Sequence, residues 1–138
     1  MSGSGFCTVI NCMDGRVQRP VNRYLRERFG VPHVDTITEP GPVRLLVDPV
    51  AGVPPVLAER LRISVAGHDS VGIAVVAHPD CAGHPVADDR QQEELAAAVR
   101  ILAAQVPDLP VLGLWVTLDG RVTEVAAIRA GGNGETGT

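Results

Sequence analysis

Two short stretches bring together residue types that can do chemistry. Cys12-Met13-Asp14-Gly15-Arg16 supplies a thiol, a carboxylate and a guanidinium within one turn of chain. His78-Pro79-Asp80-Cys81 supplies an imidazole and a second thiol. Cys12, His78 and Cys81 together make three soft or borderline ligands. That is the ligand count of a catalytic zinc site, which keeps its fourth position open. Asp14 and Arg16 follow Cys12 closely enough to form a paired dyad beside such a site.

Both stretches follow runs that read as buried strands, Cys7-Thr8-Val9-Ile10-Asn11 and Gly72-Ile73-Ala74-Val75-Val76-Ala77. In alternating α/β chains, ligands and chemistry collect where strands end. The pattern predicts a first strand over 7–12 and a helix over 17–29. Pro20 suits that helix's first turn, Val21, Tyr24, Leu25 and Phe29 recur at helical spacing, and Gly30 suits the C-cap. A shorter, more polar strand is expected over 34–38. Glu39-Pro40-Gly41-Pro42 then opens a proline-rich loop that runs to Pro55.

A second helix is expected over 55–66 and a third strand over 72–77. Asp88 reads as an N-cap with Gln91 as its capping-box partner, starting a third helix that runs to about residue 105. A fourth strand over 111–118 leads into Asp119-Gly120, a two-residue hairpin signal. Residues 122–128 would return antiparallel along the edge. The order βαβαβαββ predicts one α/β domain over residues 1–130. Its central sheet is mostly parallel, with about four parallel strands plus the antiparallel edge strand, and helices flank it. Residues 131–138 contain no apolar residue and read as a disordered tail. The two chemical stretches meet if the first and third strands are neighbours.

Composition narrows the function classes. The chain has 138 residues, 45% hydrophobic and 20% charged, as expected of one soluble globular domain. A net charge of −4 argues against a nucleic-acid surface. No apolar stretch reaches the length of a membrane span. The start, Met1-Ser2-Gly3-Ser4-Gly5, has no basic n-region and no long apolar h-region, so the expected location is cytoplasmic. Three cysteines there point to metal or catalysis before disulfides.

Cys-x-Asp-x-Arg followed at a distance by His-x-x-Cys, on βαβ architecture, resembles the β-class carbonic anhydrases. Here those residues are Cys12, Asp14 and Arg16, then His78 and Cys81. The resemblance implies Zn2+ held by Cys12, His78 and Cys81, with Asp14 and Arg16 as the catalytic dyad. It implies a zinc lyase that hydrates carbon dioxide reversibly to bicarbonate through a metal-bound hydroxide. It also implies a homodimer or higher homo-oligomer, with the site near the subunit interface. The chain departs from the family in two places. Thr38-Glu39-Pro40-Gly41-Pro42 stands where the family often has Arg-Asn-Ala-Gly. Ala82 comes between Cys81 and the glycine that usually follows it directly. It therefore reads as a compact, divergent member.

Two alternatives share the site. One is a hydrolase of carbonyl sulfide or carbon disulfide. The other is a zinc-binding protein without catalysis, structural or bicarbonate-sensing, closed by Asp14 as fourth ligand. Among the remaining candidates, Cys7 and Trp115 read as core, and Asp80 as a turn or helix cap. His84 reads as a solvated loop histidine, with a proton-shuttle role as the alternative. His33 and His68 read as turn residues without a role. Glu39 could reach the site from the end of the second strand. Val43 to Leu46 reads as a helical turn that could line an apolar channel.

Overall fold

A computed structural model describes residues 4–131. Strand β1 (Phe6–Cys12) leads through a 3-10 turn at Gly15–Val17 into helix α1 (Gln18–Phe29). Then follow β2 (His33–Glu39), a short α2 (Pro42–Leu46) and α3 (Pro55–Arg62), which runs on as a π-helical turn at Ile63–Gly67. Next come β3 (Ile73–Ala77), α4 (Asp88–Gln105), β4 (Val111–Val116) and β5 (Val122–Ile128). The tail expected over 131–138 lies, after Gly131, outside the described residues. No described helix is long and apolar enough to cross a membrane.

The strands form one sheet in the order β2-β1-β3-β4-β5. The first four are parallel and β5 is antiparallel to β4, so the predicted architecture holds. Hydrophobic pattern explains the order. In β3 and β4 every residue is buried, and in β1 all but the first, as strands covered on both faces require. The more polar β2 lies at an edge. The β4–β5 pair carries a bulge at Gly113/Leu114.

Helices cover both faces. Val17, Val21 and Leu25 pack on one face with Val9, Val76 and Leu114. On the other, Leu57, Leu61, Leu95, Val99 and Leu102 pack with Ile10, Ile73, Val75 and Trp115. Val43 and Leu46 of α2 are 1% exposed and belong to this second core, where α2 packs against α4 and β3.

The register places the chemistry. Ile10 pairs with Val75 in the parallel β1–β3 ladder. Cys12 and His78 therefore leave the sheet side by side, at the carboxyl ends of neighbouring strands. Leu95 anchors α4 on the sheet and is fully buried. Leu95→Ala is expected to destabilise the fold by about 2–5 kcal/mol through lost transfer and an unfilled cavity. Urea unfolding of the two proteins would show this as a lower midpoint at unchanged slope.

Candidate metal centre

Each ligand side chain is positioned by its own backbone. Gln18 Nε2 donates to the Cys12 carbonyl at 2.6 Å and ties the start of α1 to the end of β1. Beyond Ala77 the chain turns at His78, whose backbone N–H and C=O would be unpaired in a buried place. Gln91 of α4 satisfies both. Its Oε1 accepts from the His78 N–H at 3.3 Å, and its Nε2 donates to the His78 carbonyl at 2.8 Å. Gln91 is therefore not a capping-box partner. The N-cap of α4 is Ala87, which makes no side-chain cap, and Gln91 is 2% exposed beneath the site.

Cys12, His78 and Cys81 are all buried, with one ligand atom of each lying within 4.8 Å of the others. Their fit to zinc can be tested on two details. Tetrahedral coordination with metal–sulfur bonds of about 2.3 Å sets two sulfurs about 3.8 Å apart. The Cys12 and Cys81 sulfurs are 3.8 Å apart. His78 Nδ1 lies 2.8 Å from the Pro79 carbonyl, to which it can only donate, so its proton sits there. Nε2 is left with a free lone pair, buried and without a hydrogen-bond partner. A buried acceptor with nothing to accept, beside two thiols, is the donor set zinc takes.

The electrostatics favour ionisation at one sulfur. Burial pushes the Cys12 thiol up, but His78 close by and the backbone N–H groups of Gly41 and Asp14 outweigh it, bringing Cys12 down to about 7. His78 has this effect only while its ring is protonated, in the metal-free site; without that proton Nε2 offers the lone pair described above. Burial, and then Cys12 beside it, push Cys81 up against the N–H groups of Gly83 and His84. Cys7, by contrast, is a core residue: burial drives its thiol to about 12.

Asp14 and Arg16 form an ion pair. Arg16 meets Asp14 side-on, with Nε on Oδ1 at 3.0 Å and Nη2 on Oδ2 at 2.7 Å. Asp14 also caps the 3-10 turn by accepting the Arg16 backbone N–H at 2.9 Å. The Arg16 hydrogen bonds hold the Asp14 carboxyl down at about 2. Arg16 reaches further, to Asp80 Oδ2 and the Asp80 carbonyl, both at 3.3 Å. Asp80 is thus more than a cap. It adopts a left-handed backbone, φ 56°, and joins the second stretch to the dyad.

The other candidates lie elsewhere. His84 is 7% exposed and bonded to Glu94 through Nε2, so it is no solvated loop residue. Glu39 pairs with Arg60 at 3.7 Å and stays outside the ligand group. His33 opens β2, and His68 bonds Asp35 at 2.5 Å.

Residues 2–126 match the model of a protein family described as "Putative carbonic anhydrase". The chain belongs to this family. No curated protein matches the sequence. Among solved structures, the fold is that of β-carbonic anhydrases. One from the protozoan Trichomonas vaginalis aligns with TM-score 0.60 at 15% identity, over 92% of this chain and 84% of that one. One of two tetrameric enzymes from the ascomycete Sordaria macrospora aligns with TM-score 0.59 at 14% identity, over 88% and 81%. A carbonic anhydrase from Glaciozyma antarctica aligns with TM-score 0.59 at 16% identity, over 90% and 83%.

A Cβ on Gly83 would lie 2.5 Å from the Pro40 carbonyl carbon, so the Pro40 turn demands glycine at Gly83. Gln91→Met should leave the His78 backbone groups buried and unpaired, a cost of about 1–3 kcal/mol. Urea unfolding of the metal-free protein measures that loss, and a zinc affinity about tenfold weaker is expected with it.

Proposed function

We propose that this member of the carbonic anhydrase family hydrates carbon dioxide reversibly to bicarbonate, at a zinc ion held by Cys12, His78 and Cys81. The observation that carries the proposal is the convergence of two thiols and a free imidazole nitrogen, with an arginine-held carboxylate two residues from one ligand. Bound there, zinc supplies a Lewis acid that acidifies water, to a pKa of about 7 in the carbonic anhydrases with three imidazole ligands for which the effect is best known.

The chain's own residues do the rest. Two thiolates donate more negative charge than imidazoles, so activity should favour alkaline pH. Asp14 is ionised and can only accept a hydrogen bond. Accepting one from the attacking oxygen turns that oxygen's lone pair toward the substrate carbon. Arg16 engages both Asp14 oxygens, which keeps the carboxylate from closing the fourth position. This favours an open catalytic site over a structural one. A groove of about 700 Å³ between α1 and the β4–β5 turn is lined in part by Arg16. Met13 is 62% exposed and Leu118 at the groove is 42% exposed, which suits a homo-oligomer that covers this region. The Sordaria enzymes are described as tetrameric.

Zinc content and stopped-flow CO2 hydration on one metal-quantified sample test the reading. About one zinc per chain is expected, with activity rising toward alkaline pH. Asp14 sets no acid limb in the neutral range. Its carboxyl is depressed to about 2, so the pair contributes in full above about pH 4 and weakens only as pH falls toward 2. Arg16→Ala should retain zinc and lose about 100-fold or more in kcat. Activity that survives this change would refute the role of the dyad. A chain that binds no metal would refute the proposal itself. Zinc without CO2 hydration would move the reading to carbonyl sulfide, assayed next on the same sample.

A further inference from the structure

Two loops bury the sulfurs, and they touch each other through backbone. After β2 the chain turns at Pro40 and Gly41, the latter in a left-handed conformation at φ 61°. A Cβ on Gly41 would lie 2.8 Å from His84 Cβ and 3.0 Å from the Gly83 carbonyl carbon. Gly83 is as tightly placed against Pro40. Each loop is tied by backbone to one thiol-bearing stretch: Glu39, just before Pro40, pairs in register with Cys12 and accepts from the Met13 N–H at 3.1 Å, and the His84 N–H donates to the Cys81 carbonyl at 3.1 Å.

Arg44 spans this contact. Its Nε donates to the Gly83 carbonyl at 3.1 Å, and its Nη2 donates to the Pro40 carbonyl at 3.2 Å. One planar guanidinium therefore pins two loops that are far apart in sequence. The side chain is exposed and makes no ion pair among the described residues. Its helix α2 has only five residues, too short for a surface arginine there to matter for helix stability. The specific consequence of its placement is the relation of the two loops.

We propose that Arg44 is a positioning residue for the metal centre: it clamps the Pro40–Gly41 turn to Gly83, and so fixes the loop that carries Cys81 against the chain that pairs with Cys12. This rests on the reading of those residues as a metal site. Groups that hold and orient metal ligands from outside are commonly worth 10- to 100-fold in affinity. Only a fork that presents parallel donors can take both carbonyls, so lysine restores part of the effect at most.

The test is zinc affinity by chelator competition on the metal-free wild type, Arg44→Ala and Arg44→Lys, with urea unfolding of each metal-free protein. Arg44→Ala should bind zinc about tenfold or more weakly, with Arg44→Lys in between and metal-free stability close to wild type. In the cobalt-loaded proteins, the thiolate-to-cobalt charge-transfer bands should shift for Arg44→Ala. Equal zinc affinity and unchanged bands would overturn the clamp. So would a metal-free stability loss large enough to account for the weaker binding, since Arg44 would then be an ordinary structural residue. A wild type that binds neither metal would overturn the metal reading instead.

Discussion

A buried lone pair with no donor sets the terms for this structure. His78 Nε2 is enclosed beside two thiols, and its proton is committed to the Pro79 carbonyl through Nδ1. A polar atom left like this costs free energy unless something occupies the space between the ligands. The fold spends considerable apparatus on keeping it there. The parallel β1–β3 pairing brings the ligands to one edge. Gln91 reaches up from α4 to satisfy the His78 backbone from below. Without those bonds His78 could turn toward water and the group would disperse.

Two sulfurs that must ionise a few ångströms apart raise a second problem, because each negative charge opposes the other. The chain answers with His78, which has the largest lowering effect on Cys12, and with backbone N–H groups. They come from Asp14 and Gly41 around Cys12, and from Gly83 and His84 around Cys81. Glycine at Gly41 and Gly83 follows from the crossing of the two loops, since a Cβ on either would run into the other loop. The same thiol chemistry without such donors appears at Cys7. There burial and the Asp35 charge leave a thiol near 12, with no means of ionising in the working range.

Much of this was legible in the sequence, for a definite reason. Cys12, His78 and Cys81 stand at the ends of apolar runs, and strand ends in an α/β chain are shared ground. What the sequence left open was adjacency, since nothing local says that the first strand lies beside the third. The misread residues share one cause. Gln91 three residues after Asp88 looks like a capping partner by spacing alone, but a buried backbone in need of donor and acceptor competes for its amide. Asp80 looks like a turn residue and is one, at φ 56°, yet the same turn directs it to Arg16. His84 looks solvated because its loop is polar, and Glu94 from α4 draws it inside. In each case a long-range contact outranked a local rule.

The turn after β2 and the loop after Cys81 have to be understood together, as one packing contact. The two prolines fix the backbone at Pro40 and Pro42, where the chain crosses the loop that follows Cys81. That crossing needs a residue without Cβ opposite Pro40, and the register of the crossing puts it at Gly83 rather than Ala82. Ala82, one step earlier, points outward and is exposed. Gly83 and the Pro40 turn are therefore two sides of a single packing contact, which Arg44 bridges through the Gly83 and Pro40 carbonyls.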